Sequence, residues 1–492
     1  MLTTYDTVRN NWTKLNVYPD FKWDVLALDE GQQIKNPSTK IFSCINTLRA
    51  NFRILITNEP IQNNLEELWA LFQFTHQGAL LGTYKYFKSK YVKPIMNSRK
   101  EHASRKEKTD GIQIQWIKPY LLKRSKEDIE KQSNNGTSIF PSKHDFVVYI
   151  KMTLIQSAFY KRYLNLPEII SLKEGNTNPL PELNLLKSIC HHPRLMNSGL
   201  CAEFRLEPID RINHETFISE SGKMTFLVEL VKKMIEENHK CLIFSTFKDI
   251  LTIIGRILES LPIAYLRSDG DIINIEERQN VIDTFNADSQ IKVLLLTPQV
   301  GGLGLTFPAA DRVIIYDINW NPPVDAQAAD RVYKIGQRNN VVTYRLITCG
   351  TIDEKIYRRQ IYKDSINRQV TGVEEFDTNP YQYFTHGELY RLFDFDDPEN
   401  SATQRKLDEK HPLQLNGDKY LEDHIKWLKT LKICVGISQH NLLFSQSEGL
   451  IGKIKRFFNH FFFGQTILEN IIAIFCIVFL SIFICIFVCY SS

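Results

Sequence analysis

The sequence predicts an α/β protein built around parallel sheets, because short apolar runs alternate with helical patterns along much of the chain. Each run ends in polar residues, as strands buried on both faces do. Between the later runs, apolar residues recur at helical spacing. The predicted strands are 24–29, 53–57, 241–245, 291–296, 312–317 and 341–348, and the helices between the later ones are 223–237, 248–260 and 275–286.

Length and composition limit the classes of function. A chain of 492 residues can hold two or three domains. Its 60 basic and 56 acidic residues give a formal net charge of +4, so we expect any nucleic-acid site to be a local patch. The nine cysteines show no CxxC spacing. This pattern favours free thiols in a reducing compartment over a disulfide scaffold or a zinc site.

The most informative stretch, residues 290–337, predicts a strand, a glycine loop, a second strand and a helix. Gly302 and Gly304 allow the loop backbone to approach a ligand closely. Asp325 is expected to cap the helix, whose Gln327, Arg331 and Lys334 fall at i, i+4 and i+7 on one face. A cation should therefore project from a rigid element, although a glycine loop alone is more often a structural turn.

Two carboxylates, Asp29 and Glu30, follow the first predicted strand. The carboxyl end of a parallel strand is where α/β folds bind ligands. Alone, such a pair is commonly a solvated strand end. Its neighbours favour a functional interpretation, because a further strand at 53–57 and the segment Pro60-Ile61-Gln62-Asn63-Asn64 follow it.

These stretches together resemble the motifs of the Swi/Snf-type helicase-like ATPases. Residues 29–32 resemble motif II, 57–64 resemble motif III, and 297–337 resemble motifs V and VI, with their WNP turn and their QA-x-DR helix. The resemblance implies two RecA-like lobes with helical insertions and a cleft for ATP and Mg²⁺ between the lobes. It runs from about residue 2 to residue 444.

The resemblance also implies roles for individual residues. Asp29 would hold Mg²⁺ through water, and Glu30 would orient or deprotonate the attacking water. Arg331 matches the first arginine finger of motif VI, and Lys334 stands where the second finger would be, without the planar fork of arginine. The remaining nucleotide and motif positions are Gly302, Gly304, Gln327 and Asp330.

This sequence departs from the family pattern at several positions. DEAH becomes Asp29-Glu30-Gly31-Gln32, and TGTP becomes Thr57-Asn58-Glu59-Pro60. No GxxxxGKS or GxxxxGKT loop occurs, so the chain is expected to begin inside the first lobe and to leave an edge of that lobe's sheet exposed. Ser221-Gly222-Lys223-Met224 imitates such a loop, but it matches the helix that opens the family's second lobe, and we interpret it as structural.

Duplex DNA and chromatin are the partners that the resemblance implies, through backbone contacts and not base readout. Residues 119–126 resemble a family segment whose paired cations lie near DNA phosphates. The candidate DNA-binding residues are Lys123, Arg124, Ser245, Thr297, Thr306 and Trp320.

The stretch Cys190-His191-His192-Pro193 allows a metal-binding interpretation and a structural one. Three consecutive side chains on a regular helix cannot all face one ion. The family also has a C-x-HP helix end here, so we favour a structural role.

The resemblance divides the chain into five parts, and the last of them departs from it. Residues 371–445 resemble the extension of the Cockayne-syndrome-B-related, excision-repair-6-like group. Residues 471–490 carry no charge and are long enough to cross a bilayer as a helix. They are either a membrane anchor or sequence beyond the true coding end, and we favour the second. The parts are lobe 1 (1–125), a helical insertion (126–220), lobe 2 (221–370), the extension (371–445) and a basic, aromatic and apolar tail (446–492).

Two functions follow from these patterns. The first is an ATP-dependent duplex-DNA translocase of the chromatin-remodelling and DNA-repair type, located in the nucleus. The second is a DNA-binding or scaffold remnant without ATPase activity, anchored to a membrane if the apolar tail is genuine. We predict the first function, with this chain as part of a longer product that carries the phosphate loop, whereas the altered Gly31, Gln32, Glu59 and Lys334 favour the second.

Overall fold

The helices and strands of the protein form two separate sheets, both dominated by parallel pairing. The computed structural model describes residues 1–15, 21–57, 65–93, 119–122, 141–173, 179–196, 199, 202, 212–272, 274–301, 305–334, 336–371, 391–415 and 418–440. This mixed α/β architecture confirms the predicted fold class.

The N-terminal module, residues 1–93, holds a two-stranded parallel sheet. Its two strands pair from Trp23 with Ala50 to Leu28 with Leu55. Helices cover one face of the sheet and bury a small core that includes Ile34, Ile45 and Phe74. Its main elements are α1 (Tyr5–Leu15), β1 (Trp23–Leu28), α2 (Lys40–Thr47), β2 (Ala50–Leu55), α3 (Leu65–His76) and α4 (Tyr84–Phe87).

The other face of this small sheet is apolar and open. Val25 pairs with Phe52 and Ala27 pairs with Ile54, so these side chains share one face. Val25 is 53% exposed and Phe52 60% exposed. Within the described residues, β1 and β2 pair only with each other. Among the described residues no third strand covers an edge of this sheet, and its open face is apolar.

The central module, residues 141–440, is built on a seven-stranded sheet in the order β5-β6-β4-β7-β8-β3-β9. Its strands are β3 (Lys143–Ile150), β4 (Cys241–Phe244), β5 (Tyr265–Ser268), β6 (Val293–Leu296), β7 (Arg312–Ile315), β8 (Val341–Thr348) and β9 (Cys434–Gln439). All neighbours pair in parallel except β9, which is antiparallel to β3. Most of these strands are buried along their whole length, as the continuous apolar runs predicted.

Helices on both faces of this sheet close the main core. The predicted helices at 223–237, 248–260 and 275–286 are confirmed to within a residue or two. The helices are α5 (Leu154–Leu164), α6 (Pro167–Lys173), α7 (Leu180–His191), α8 (His214–Glu220), α9 (Gly222–Glu236), α10 (Lys248–Ser260), α11 (Ile275–Ala287), α12 (Pro298–Gly301), α13 (Pro322–Asp330), α14 (Ile352–Thr371), α15 (Ala402–Lys410) and α16 (Lys419–Thr430).

Two strands of this sheet differ from the sequence expectation. The segment 126–220 was expected to be helical, but it also contributes β3, which pairs with β8 over eight residues. The extension contributes β9, which lies at the edge of the sheet beside β3. Parts of the chain on either side of the predicted second lobe therefore belong to its sheet.

The apolar stretch 471–490 lies outside the described residues, as does everything after residue 440. Among the helices that the structure does describe, none is both long and apolar enough to span a membrane.

Candidate functional site

Asp29 and Glu30 lie directly after β1, where the strand ends. The Asp29 side chain is exposed, and its Oδ1 accepts the backbone N–H of Glu30 at 2.9 Å. Glu30 has a left-handed backbone conformation, with φ 50° and ψ 48°. A residue other than glycine pays about 1–3 kcal/mol for such a conformation, which is found most often at functional sites. The conformation turns the chain sharply after the strand.

A chain of hydrogen bonds joins Glu30 to the end of the neighbouring strand. Gln32 Nε2 donates to Glu30 Oε2 at 2.5 Å, and Thr57 Oγ1 donates to Gln32 Oε1 at 2.7 Å. Gln32 replaces the histidine of the family motif, and its amide has both a donor and an acceptor for this bridge. Gln32 therefore links the two motifs in this chain. Asn58 and Glu59 lie outside the described residues.

The carboxylate of Glu30 lies close enough to Arg331 and Lys334 for its charge to act on both. Burial lowers the pKa of the Arg331 guanidinium, whereas the charges of Glu30 and Asp330 act in the opposite direction. Burial and the Arg331 charge lower the pKa of Lys334. The charges of Asp330 and Glu30 act in the opposite direction and offset part of this decrease. The structure thus brings together the acidic and cationic residues that the sequence placed 300 positions apart.

The other motif positions have different surroundings. Asp330 pairs with Lys143 at the start of β3, with Oδ1 and Nζ 2.8 Å apart, so it connects α13 to the sheet. Gln327 is half-buried on α13. Gly302 and Gly304 lie outside the described residues.

Asp325 does not cap α13, so that prediction was wrong. The helix begins at Pro322, after Asn321, and ends at Asp330. Arg331 and Lys334 therefore lie beyond it and not on its face as predicted. Asp325 is instead buried, and its Oδ2 accepts the backbone N–H of Asn319 at 2.9 Å. Burial raises the pKa of Asp325 to about 6, although the nearby Arg345 guanidinium acts against the increase. The residue fixes the loop between β7 and α13.

The described residues of the site can hold Mg²⁺, but they do not include a phosphate-loop lysine that is free to bind the phosphates of ATP. An exposed carboxylate such as Asp29 suits Mg²⁺, which commonly takes one or two carboxylates together with substrate phosphates. Lys223 cannot hold the phosphates, because its ammonium is buried, lies 2.7 Å from Asp353 Oδ2 and donates to the carbonyl of Tyr316 at 3.0 Å. The structural interpretation of Ser221-Gly222-Lys223-Met224 is therefore supported.

The candidate DNA-binding residues are distributed unevenly. Thr306 is exposed and Trp320 half-buried, so both can reach a ligand. Thr297 and Ser245 are buried, and the Ser245 hydroxyl bonds the backbone of Phe247, which makes Ser245 a turn-forming residue here. Lys123 and Arg124 lie outside the described residues.

Sequence reasoning missed the buried charges that support these loops. Asp317 follows β7 and accepts the backbone N–H of Thr246 at 3.1 Å, which joins the loops after β4 and β7. Arg345 on β8 pairs with Asp145 on β3 through two contacts of 2.9 and 2.8 Å. A carboxylate that follows a buried parallel strand was a signal for Asp317. No comparable signal indicated that Arg345 pairs with Asp145.

The structure also favours the structural interpretation of Cys190-His191-His192-Pro193. The His192 Nε2 donates to the Phe217 carbonyl at 3.0 Å, and Nδ1 accepts the backbone N–H of Arg194 at 3.3 Å. Both ring nitrogens are therefore engaged by the backbone. Within the described residues, no group of three or more metal-ligating side chains occurs.

The ring of His192 predicts a loss of stability in mild acid. Burial lowers its pKa to about 4, from 6.5 in an exposed histidine. The unfolded chain therefore takes up this proton first, and the stabilisation present above pH 6.5 is lost as the pH falls towards 4. Between pH 7 and pH 5 we expect this residue to account for about 2 kcal/mol of the loss, measured by urea unfolding.

His192→Asn is the matched variant, because asparagine can still accept the Arg194 N–H but does not titrate. It should unfold more readily than the parent at pH 7 and lose less stability on going to pH 5. An equal loss in the two proteins would contradict the assignment of this titration to His192.

Family models match most of the two modules. The model of the SNF2-related domain matches residues 1–195, and that of the helicase conserved C-terminal domain matches residues 222–336. The chain is 42% identical to DNA excision repair protein ERCC-6-like of Bos taurus, over 91% of this chain and 39% of the relative. It is 36% identical to Protein CHROMATIN REMODELING 24 of Arabidopsis thaliana, over 91% of this chain and 44% of the relative.

The human ERCC-6-like protein gives a similar match, at 41% identity over 90% of this chain and 39% of the relative. The chain thus spans about two-fifths of the length of these curated relatives. Among solved structures, it is similar to a Sulfolobus solfataricus SWI2/SNF2 ATPase core in complex with dsDNA. That match has 30% identity and a TM-score of 0.40, and it covers 80% of this chain and 77% of the other.

Proposed function

The chain belongs to the SNF2-related family of helicase-like ATPases. From this premise we propose that it acts as an ATP-driven translocase on duplex DNA and chromatin in the nucleus. The observation that carries the proposal is the approach of Glu30 to Arg331 and Lys334. An acid on the N-terminal module beside two cations on the central module suits the hydrolysis of a phosphoanhydride bond between the modules.

Each residue of this site has a distinct proposed role. ATP with Mg²⁺ would supply the bond whose hydrolysis drives movement. Asp29 would hold the water shell of Mg²⁺, and Glu30, fixed by Gln32, would orient the attacking water. Arg331 would pair with the γ-phosphate, and Lys334 would add a point charge without the fork of a second arginine.

Duplex DNA would be bound through its phosphate backbone at the carboxyl end of the seven-stranded sheet. Trp320, on the loop after β7, and Thr306, between α12 and β7, are candidates for these contacts. Lys123 and Arg124 are further candidates. Such binding is independent of sequence and weakens steeply with salt.

A second function, DNA binding or scaffolding without ATP turnover, is favoured by one observation. Lys223, the lysine of the stretch that imitates a phosphate loop, is buried in an ion pair with Asp353 and is not available to a nucleotide. Backbone amides and a lysine around the β- and γ-phosphates supply much of the affinity for ATP in such sites.

We expect the 492-residue chain to bind ATP with a dissociation constant above about 100 µM, because it contains no GxxxxGKS or GxxxxGKT loop to bind the phosphates. Isothermal calorimetry with ATP and Mg²⁺ measures this value. Binding in the low micromolar range would show that other residues hold the phosphates.

Hydrolysis distinguishes the two functions. The proposed translocase predicts phosphate release at saturating ATP that duplex DNA stimulates and that Glu30→Gln abolishes, without loss of DNA binding. DNA binding with no release above the Glu30→Gln background would support the second function. A chain that binds no duplex DNA at low salt would exclude the translocase and the DNA-binding form of the second function, and would leave only scaffolding.

A further inference from the structure

The loop that carries Trp320 is held by buried side chains from three helices. It runs from Asp317 to Asn321, between β7 and α13. Lys187 on α7 donates to the carbonyl of Ile318 at 2.5 Å, and Gln360 on α14 donates to the carbonyl of Asn319 at 2.5 Å. Asp325 on α13 accepts the N–H of Asn319. The backbone before Trp320 is thus fixed at successive positions.

Lys187 also reaches the neighbouring loop. Its side chain is 4% exposed, and Nζ lies 3.6 Å from Asp317 Oδ2. Asp317 in turn accepts the N–H of Thr246 at 3.1 Å and the Thr246 hydroxyl. The Lys187 ammonium lies 5.7 Å from the centre of the Phe247 ring. One buried cation therefore connects the loops after β4 and β7.

Both loops lie at the carboxyl ends of adjacent parallel strands, since β4 pairs with β7. This edge is where α/β sheets bind ligands. Helix α7 belongs to the segment 126–220, which the sequence assigned to a helical insertion, and it contributes none of the candidate DNA-binding residues. Lys187 is thus one point at which this helix contacts the edge, through the Ile318 carbonyl and Asp317.

We propose that Lys187 is a positioning residue for duplex DNA binding, because it fixes the Trp320 loop against the Thr246 loop. The inference rests on the proposed DNA-binding function. The alternative is that Lys187 and Asp317 form an ordinary buried ion pair, which has no effect on DNA binding. Such pairs add little net stability, whereas a single ammonium that bonds a loop carbonyl also determines where that loop lies.

The decisive variant is the double substitution Lys187→Met with Asp317→Asn. It removes both buried charges together, so no unpaired charge is left to unfold the protein, and asparagine can still accept the Thr246 N–H. We expect the Asn319 amide to exchange with solvent about tenfold faster. The affinity for a fluorescein-labelled duplex of random sequence should fall about tenfold, measured by anisotropy at fixed salt.

Two further variants serve as controls. Lys187→Arg keeps a donor for the Ile318 carbonyl and a partner for Asp317, so its affinity should stay within about threefold of the parent. Lys426→Met removes a cation that is 72% exposed on α16, and it should change neither exchange nor affinity.

Unchanged amide exchange in the double variant would overturn the positioning role, whatever happens to DNA binding. Faster exchange with unchanged affinity would overturn the link to DNA. If the parent chain binds no duplex, the proposed function fails, and the exchange measurement still decides whether Lys187 fixes the loop.

Discussion

Arg345→Met is expected to lower the free energy of unfolding by about 3–5 kcal/mol, one of the two largest effects that we predict for a single substitution. Arg345 is 2% exposed on the central strand β8. Its guanidinium makes two contacts with Asp145 and lies 3.8 Å from Asp325. Methionine fills a similar volume but leaves two buried carboxylates without their cation.

The loss of Arg345 should also change the pH dependence of stability, through the carboxylates of Asp145 and Asp325. Burial alone would raise the pKa of Asp145, but the Arg345 charge holds it below its usual value. Burial already raises the pKa of Asp325 to about 6 against the effect of Arg345. Without Arg345 both pKa values should rise, so the variant should lose less stability than the parent as the pH falls from 7 to 5.

Urea unfolding at pH 7 measures the main effect. Lys232→Met is the matched control, because Lys232 pairs with Glu229 on the surface, with the two side chains 45% and 47% exposed. Removal of that pair should cost less than about 1 kcal/mol. Adding Asp145→Asn to Arg345→Met should restore part of the lost stability. Equal effects of Arg345→Met and Lys232→Met would refute the importance of the buried pair.

The sequence alone could predict the central sheet but not all of its members. The apolar runs at 241–245 and 312–317 identify buried strands because burial on both faces demands continuous apolar residues. The strand Lys143–Ile150 has a comparable run, Phe146 to Ile150, but it lies in a segment that the resemblance assigned to helices. The edge strand Cys434–Gln439 contains a glycine and has no such run.

In the candidate site, too, some features could be predicted from the sequence and others could not. Glu30 and Arg331, which approach each other, could be selected as candidates because each belongs to a motif with a characteristic local spacing. Lys187 and Asp317 could not be paired in advance, since their contact joins positions 130 residues apart through the tertiary fold. Ser245 was assigned to DNA by its motif position, but burial and the turn that it forms decide its surroundings here.

Gly222→Ala is the other substitution with a large expected effect, a loss of about 3 kcal/mol in the free energy of unfolding. A Cβ at Gly222 would lie 2.0 Å from the backbone carbonyl oxygen of Lys151, which is far inside van der Waals contact. The Gly222 N–H also donates to Gln156 Oε1 at 2.9 Å, so the start of α9 cannot move away without losing this bond.

This prediction separates a packing role for Gly222 from a phosphate-binding one. A glycine of a phosphate loop would affect nucleotide affinity, whereas close packing against Lys151 affects folding. Gly270→Ala is the control, because its nearest neighbour would be Lys248 Nζ at 3.6 Å, and it should change stability by less than about 0.5 kcal/mol. Thermal melting of both variants, with ATP present and absent, decides the matter. If Gly222→Ala melts like the parent and differs only in its response to ATP, Ser221-Gly222-Lys223-Met224 binds phosphate after all.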